Sequence, residues 1–204
     1  MSSPLPRRGS GATVAPMEPI AALELATSSF VNRLDEVPVD MYAAPTPCEG
    51  WSVEVLLEHL AQGARMTVAM LDGASADEAR AVVEEPLEGD AVEVCRREVL
   101  GQLARMAEAT DPDAIVHHLI GDIPVSQLFN FRIADLLIHS WDLSRSLGLA
   151  EELPGELVEL VYENLKPMEP MISQIGIFGD GPSGALDDEI DLQTKLLDLS
   201  GRRP

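Results

Sequence analysis

Hydrophobic residues recur along this chain with the three- and four-residue spacing of helices, and the longest such pattern spans residues 125–147. At 3.6 residues per turn its apolar positions form one stripe on a helix; they are Phe129, Ile133, Leu136, Leu143 and Leu147. Further long helices are predicted at 19–34, 52–72 and 90–109, with a shorter one at 76–85. Four long helices of this kind indicate an all-α four-helix bundle.

Local signals mark where several of these helices begin and end. Ser52 and Asp90 are suitable N-caps, because their side-chain oxygens can accept hydrogen bonds from the free N–H groups of the first turn. Gly148 follows the longest pattern and predicts its carboxy-terminal end. Two more helices are predicted at 154–166 and 188–199.

The segments between the helices carry proline and glycine. Three prolines predict an extended connection over residues 37–50, and a Gly-Asp turn predicts a loop or a short hairpin within 114–124. Residues 179–184 are glycine-rich and predict a surface loop. Residues 1–16, rich in Ser, Pro, Gly and Arg, predict a flexible tail, which leaves 17–204 as one domain with a long connection between helices.

Composition and charge exclude several classes of protein. Hydrophobic residues make up 46% of the chain, enough for a sizeable core. The 35 acidic residues against 14 Lys and Arg give a formal net charge of −21. A surface of this charge repels phosphate backbones and anionic lipids, so nucleic-acid and membrane-surface roles are disfavoured. No apolar run approaches the ~20 residues that span a bilayer.

The two cysteines indicate a reducing environment. Cys48 and Cys95 lie far apart and lack the CxxC spacing, so a disulfide framework is not expected and a cytoplasmic location is predicted. Cys48 lies in the proline-rich connection with no neighbouring His or Lys, and it is interpreted as structural.

Two helical segments carry the candidate chemistry. Asp135 and His139 are four residues apart, so their side chains lie on the same face of the helix at 125–147. A carboxylate and an imidazole at this spacing can bind a metal ion, and His59 on the helix at 52–72 could supply a third ligand. A site with three protein ligands keeps open positions for water or substrate.

The same residues also fit a structural interpretation. Acid–histidine pairs four residues apart are common on solvated helix faces. His59 follows Leu56 and Leu57 and could be a core histidine. On spacing alone, the two interpretations of Asp135 and His139 are equally supported.

Two motifs resemble a known family. Residues 45–60, which read Pro-Thr-Pro-Cys-Glu-Gly-Trp-Ser-Val and then Leu-Glu-His-Leu, are similar to the opening motif of the DinB-like family, in particular to the metal-binding domain of mycothiol-dependent maleylpyruvate isomerase. Residues 135–143, Asp-x-x-x-His-x-Trp-Asp-Leu, resemble its second motif. Segments 176–179 and 196–202 are similar to the tail of a related group of small metal-binding proteins. The resemblance extends over residues 17–204.

The resemblance implies a DinB-type bundle with His59, Asp135 and His139 as the metal ligands. The family uses three histidines, or two histidines and a glutamate, whereas the carboxylate here belongs to the shorter Asp135. Zinc is the first choice, because it accepts imidazole and carboxylate ligands at ~2.0–2.2 Å; nickel, iron and manganese fit a similar triad. Asp142 is expected to orient the His139 ring or, as the alternative, to replace Asp135 as a ligand. Arg132 could contact an anionic substrate, whereas its residue type alone favours the alternative of a surface arginine.

The resemblance also implies a function. A divalent metal would lower the pKa of a low-molecular-weight thiol such as mycothiol, and the thiolate would attack a small electrophile in a transferase or isomerase reaction. A non-catalytic metal- or ligand-binding protein, with a homodimer as one expectation, is the alternative. A metal-free structural protein is the third interpretation.

Overall fold

The structure, a computed structural model, describes residues 17–175, 181–187 and 189–204. Its helices are α1 (Pro19–Leu34), α2 (Val53–Leu71), α3 (Ala76–Glu84), α4 (Ala91–Ala107), α5 (Val125–Leu147), α6 (Gly155–Leu165), α7 (Glu169–Ile175) and α8 (Leu192–Leu199), with short 3₁₀ turns at Val39–Met41 and Lys166–Met168. Strands β1 (Ile115–His118) and β2 (Gly121–Pro124) pair antiparallel as a small hairpin. The all-α fold class predicted from the sequence is confirmed, and the hairpin foreseen as one alternative for 114–124 is present.

A four-helix bundle of α1, α2, α4 and α5 forms the body of the protein. α2 packs mainly against α4, and α1 packs mainly against α5. The two pairs join because α1 also contacts α4 and α2 also contacts α5. Large side chains with no exposed surface, or almost none, fill the centre, and burial of their apolar surface is the main stabilising term; they include Leu23, Phe30, Leu57, Leu136 and Trp141. This arrangement makes α2 and α5, which carry the candidate ligands, neighbours.

The helix ends follow the signals in the sequence. Ser52 Oγ accepts a hydrogen bond of 3.3 Å from the Val55 N–H at the start of α2. Asp90 Oδ1 accepts one of 3.1 Å from the Glu93 N–H at the start of α4. Gly148 ends α5 with φ +66°, the left-handed conformation that glycine adopts without steric cost.

The region after α6 differs from the prediction. Helix α7 was not predicted from the sequence. Pro170 lies in the first turn of α7, where a backbone N–H would have no partner within the helix, so the proline does not interrupt it. α8 begins at Leu192, four residues later than predicted, because Asp191 is its N-cap and accepts a hydrogen bond of 3.0 Å from the Thr194 N–H.

Some predicted features fall wholly or partly on residues outside the described ranges. The tail predicted at 1–16 lies outside the described residues, as do residues 179 and 180 of the predicted loop and residue 188 at the predicted start of the last helix. Among the residues that the structure describes, no helix combines the length and apolarity that crossing a bilayer requires.

Candidate metal centre

The three predicted ligands meet where α2 packs against α5. His59 lies on α2, and its Nε2 is 3.3 Å from Oδ1 of Asp135 on α5. His139 lies one turn further along α5, and its Nε2 is 3.4 Å from the same oxygen. Two imidazole nitrogens and one carboxylate oxygen therefore converge, all within 4.8 Å of one another.

The spacing of these donor atoms fits a bound divalent cation. Two ligand atoms on one tetrahedral zinc ion, each ~2.0–2.2 Å from it, lie about 3.3–3.6 Å apart. The two nitrogens are 3.3 and 3.4 Å from Asp135 Oδ1, whereas N–H···O hydrogen bonds are most often ~2.9–3.0 Å long. Imidazole and carboxylate also form a donor set that zinc, nickel, iron and manganese accept. The residues present therefore fit such an ion by both spacing and chemistry.

The candidate centre is covered on one side and open on the other. The His139 side chain is 8% exposed and that of Asp135 is 20% exposed, but 41% of the His59 side chain faces solvent. The Trp51 ring lies beside both imidazoles, with its centroid 4.9 Å from that of His59 and 6.0 Å from that of His139. A small molecule would thus approach from the His59 side, along the half-buried face of Trp51.

Asp142 fixes the orientation of the His139 ring. Its carboxylate has no exposed surface, and Oδ2 accepts a hydrogen bond of 2.8 Å from His139 Nδ1. A carboxylate only accepts hydrogen bonds, so Nδ1 must carry the proton and Nε2 is the nitrogen that can bind a metal. The geometry agrees with the predicted role of Asp142 as an orienting residue and not with the alternative in which it replaces Asp135.

Nearby charges and hydrogen bonds shift the pKa of both aspartates and of His139. Burial alone would raise the pKa of Asp135, but the Arg132 charge, His59 and His139 hold that pKa well below its ordinary value. Burial also opposes ionisation of Asp142, yet hydrogen bonds from His139 and Arg202 lower its pKa to about 2. For His139, burial favours the neutral ring, but the neighbouring carboxylates of Asp135 and Asp142 raise its pKa well above the usual value. Both carboxylates are therefore ionised at neutral pH.

Arg132 is buried beside Asp135, so the alternative of a surface arginine is wrong. The residue is 6% exposed, and its Nη1 lies 2.9 Å from Asp135 Oδ2. Its Nε donates a hydrogen bond of 2.6 Å to Gln102 Oε1 on α4. Arg132 thus holds one oxygen of Asp135, while the other oxygen, Oδ1, faces the two imidazoles. Contact between Arg132 and an anionic substrate stays a prediction.

Gly63 on α2 makes room for the Arg132 guanidinium. A Cβ atom at residue 63 would lie 2.6 Å from Arg132 Nη1 and 3.2 Å from its Cζ. Glycine destabilises a helix interior, but it is needed at this position of α2, because any larger residue would occupy the space of the Arg132 guanidinium.

A family comparison places these helices in a known group. The sequence profile of the family described as "Mycothiol maleylpyruvate isomerase N-terminal domain" matches residues 23–144. The chain belongs to this family. The matched segment contains all three candidate ligands as well as Asp142.

Other proteins resemble the chain in sequence or in fold. Two uncharacterized proteins of Mycobacterium tuberculosis, from strains CDC 1551/Oshkosh and ATCC 25618/H37Rv, are each 25% identical over 142 residues, or 69% of this chain and 74% of the relative. The crystal structure of the mycothiol-dependent maleylpyruvate isomerase matches with a TM-score of 0.56 at 18% identity, covering 72% of this chain and 67% of that enzyme. A histidine-to-alanine mutant of the same enzyme matches with the same TM-score and coverage at 17% identity. These matches confirm the DinB-type fold.

Cys48 and Arg202 extend the polar cluster, and sequence reasoning missed both. Cys48 Sγ lies 3.4 Å from Asp142 Oδ2 and 3.2 Å from Arg202 Nη2. A tight turn places the cysteine there, since the Trp51 N–H donates a hydrogen bond of 3.0 Å to the Cys48 carbonyl. The signal for Cys48 was that the Cys-Glu-Gly-Trp segment of the family motif immediately precedes the helix that bears His59. The signal for Arg202 was that it ends the family-like segment 196–202.

A second group of potential ligands is less suited to a cation. Cys48, His139 and Asp142 each offer a donor atom within 4.8 Å of the others. However, the Arg202 guanidinium already lies 2.6 Å from Asp142 Oδ2 and would repel a metal ion bound to that oxygen. We therefore assign the candidate centre to His59, Asp135 and His139.

The contact between Gly63 and Arg132 predicts opposite effects of the same substitution on two helices. Gly63→Ala should lower the free energy of unfolding by about 1–3 kcal/mol, because the new methyl group pushes Arg132 off Asp135. Gly101→Ala is the matched control: residue 101 is exposed on α4 with open space around it, so the substitution should stabilise the helix by up to ~1 kcal/mol. Urea denaturation of both variants measures the difference. Stabilisation of the protein by Gly63→Ala would contradict the close contact described here.

The two cysteines are predicted to differ in reactivity. Burial raises the pKa of the fully buried Cys95 to about 12, so its thiol stays protonated and inaccessible at pH 8. Cys48 is partly exposed. Alkylation of the native protein with iodoacetamide, followed by mass spectrometry, should modify Cys48 at least tenfold faster than Cys95. Cys48→Ser should abolish the fast phase, whereas Cys95→Ser should leave it intact; equal rates at both sites would show that the burial of Cys95 is wrong.

Proposed function

We propose that this protein binds one divalent cation, zinc in first place, through His59, Asp135 and His139, and uses it to activate a low-molecular-weight thiol of the mycothiol type. The thiol would then be transferred to a small electrophile or would assist its isomerisation. The single observation that carries the proposal is the convergence of two imidazole nitrogens on Asp135 Oδ1, at 3.3 and 3.4 Å.

The charges around the centre favour an anionic partner such as a thiolate. The charge of Arg132 balances that of Asp135, and the charge of Arg202 balances that of Asp142. The formal charges of these four buried or half-buried groups therefore sum to zero. A divalent cation between neutral imidazoles would add two positive charges beside Asp135 and His139, whose side chains are largely shielded from water. Electrostatic attraction is strong where the effective dielectric constant is low, so the loaded centre would favour a ligand that carries negative charge. A cation bound there would lower the pKa of a coordinating thiol and supply the thiolate nucleophile at neutral pH.

The residues around the centre have separate tasks in this proposal. Asp142 keeps the proton of His139 on Nδ1, and Arg132 keeps Asp135 ionised with Oδ1 directed at the imidazoles. The half-exposed His59 marks the approach for the thiol and its partner. The Trp51 ring offers a flat apolar wall for the electrophile. The choice of a thiol is supported by the crystal structure that the fold resembles, which is that of a mycothiol-dependent maleylpyruvate isomerase.

A non-catalytic metal-binding protein is the second candidate. The 8% exposure of the His139 side chain and the 20% exposure of Asp135 favour it, since a well-covered ion would be retained rather than offered to a substrate. Enzymatic turnover distinguishes the two candidates. The homodimer expected from the sequence stays a prediction.

Metal analysis tests the ligand set. Protein purified without a histidine tag and loaded with Zn²⁺ should retain about one metal ion per chain by inductively coupled plasma mass spectrometry. His59→Ala should reduce this to a small fraction, because loss of one of three ligands leaves two. His117→Ala is the control, since His117 lies on the exposed hairpin and pairs with Asp122 at 2.7 Å. Equal metal content in wild type and His59→Ala would refute the site.

Thiol consumption tests the catalytic half of the proposal. With mycothiol and 1-chloro-2,4-dinitrobenzene, the metal-loaded protein should accelerate thioether formation at least tenfold over the uncatalysed rate. Removal of the metal with a chelator should abolish the acceleration, and added Zn²⁺ should restore it. Acceleration that persists in the metal-free protein would contradict the mechanism. Stoichiometric metal without any acceleration would favour the non-catalytic candidate.

A further inference from the structure

The carboxy-terminal turn of the described chain directs an arginine into the bundle. α8 ends at Leu199, and Gly201 then adopts φ +78°. The Gly201 N–H donates a hydrogen bond of 2.9 Å to the Asp198 carbonyl, and the Arg202 N–H donates one of 2.8 Å to the Leu197 carbonyl. This pair of hydrogen bonds is the Schellman motif, in which a left-handed glycine reverses the chain at a helix end. The reversal brings Arg202 back toward α5.

The Arg202 side chain is held by contacts on every nitrogen. Nε donates to Asp142 Oδ1 at 3.1 Å and Nη2 donates to Asp142 Oδ2 at 2.6 Å, which is a two-point contact with one carboxylate. Nη1 donates to the Ser200 carbonyl at 2.7 Å, and Nη2 also lies 3.2 Å from Cys48 Sγ. Arg202 is 7% exposed, and its partner Asp142 is fully buried. A buried ion pair with this geometry has little freedom to rotate.

The contact continues to a candidate ligand. Asp142 Oδ2, the oxygen that accepts from Arg202 Nη2, also accepts the hydrogen bond of 2.8 Å from His139 Nδ1. If Arg202 were absent, the Asp142 carboxylate could rotate about its side-chain bonds and leave His139. The position of a residue sixty places further along the chain thus determines which way a ring on α5 can point.

We propose that Arg202 is a positioning residue of the metal centre, acting on His139 through Asp142. The inference rests on the proposed function, because it assumes that His139 Nε2 binds the cation. It goes beyond that function in assigning the turn at 200–202 to the site: the turn locks the carboxylate that orients the ligand. Gly201 is needed for the same turn, because a residue with a Cβ at φ +78° is strained and would redirect the arginine.

The neighbouring arginine provides a matched control. Arg203 follows in the same turn, but its side chain is half exposed and contacts Asp198 and the Gly181 carbonyl. Loss of Arg203 removes a positive charge and an ion pair from the same turn without touching Asp142. Any general effect of disturbing this end of the chain should therefore appear equally in both arginine variants.

Zn²⁺ affinity, measured by competition with a chromogenic chelator, tests the inference. Arg202→Met should raise the Zn²⁺ dissociation constant about 10–100-fold, as removal of groups behind metal ligands typically does. Arg203→Met should change it less than twofold. Arg202→Lys keeps the charge but not the two-point contact, so its dissociation constant should fall between those of wild type and Arg202→Met. If Arg202→Met fails to fold, the Arg202→Lys variant carries the test.

A double-mutant cycle separates positioning from general stabilisation. Because Arg202 acts through Asp142, Arg202→Met should weaken Zn²⁺ binding less than twofold once Asp142→Asn is present. Independent, multiplicative losses would overturn the inference, as would unchanged Zn²⁺ affinity in Arg202→Met or in a folded Arg202→Lys. A wild-type protein that binds no Zn²⁺ would overturn the proposed function and the inference together, whereas Zn²⁺ binding that is lost in His59→Ala but unaffected by Arg202 would overturn only the inference.

Discussion

The arrangement of the site depends on how the bundle balances the negative charges of two carboxylates on one helix. Asp135 and Asp142 both point into the interior from α5, where an uncompensated negative charge would be very costly. Arg132 lies against the first and Arg202 against the second. With both charges balanced, each aspartate keeps one oxygen for an imidazole: Asp135 Oδ1 faces His59 and His139, and Asp142 Oδ2 holds His139 from behind.

This compensation links several distant parts of the chain. Arg132 needs Gln102 on α4 and the space left by Gly63 on α2, so three helices of the bundle meet at one guanidinium. Arg202 needs the reversal at Gly201 after α8. The same contacts that satisfy buried charge also fix the directions of the donor atoms, so the stability of the fold and the geometry of the candidate centre are hard to separate. Such coupling is expected where polar groups are enclosed, because each hydrogen bond lost leaves a partner unsatisfied.

Local features of the fold could be predicted from the sequence, and long-range contacts could not. Ser52, Asp90 and Gly148 act on residues within one turn, so their capping roles are visible in a short stretch of sequence. The pairing of Asp135 with His139 follows from helical spacing in the same way. From the residues alone His59 was only a possible third ligand, because the separation of 76 positions between it and Asp135 carries no spacing signal; the resemblance to a family linked it to the pair.

The contacts that the sequence did not predict have the same origin. Arg132 reads as a surface residue until α4 and α2 are placed around it, and Cys48 reads as an isolated thiol until the turn at 45–52 brings it to Asp142. The contact between Arg202 and Asp142 spans sixty residues and depends on one left-handed glycine. Helix α7 was also not predicted, although the place of Pro170 in its first turn is compatible with a helix.

X-ray absorption spectroscopy of the zinc-loaded protein, before and after addition of a low-molecular-weight thiol, tests the central claim most directly. We predict two imidazole nitrogens and carboxylate oxygen at ~2.0–2.2 Å, and one new sulfur at ~2.3 Å once the thiol is added. Sulfur bound before any thiol is added would implicate Cys48 as a ligand and contradict the assigned triad. A spectrum that the thiol leaves unchanged would contradict thiol activation at this centre.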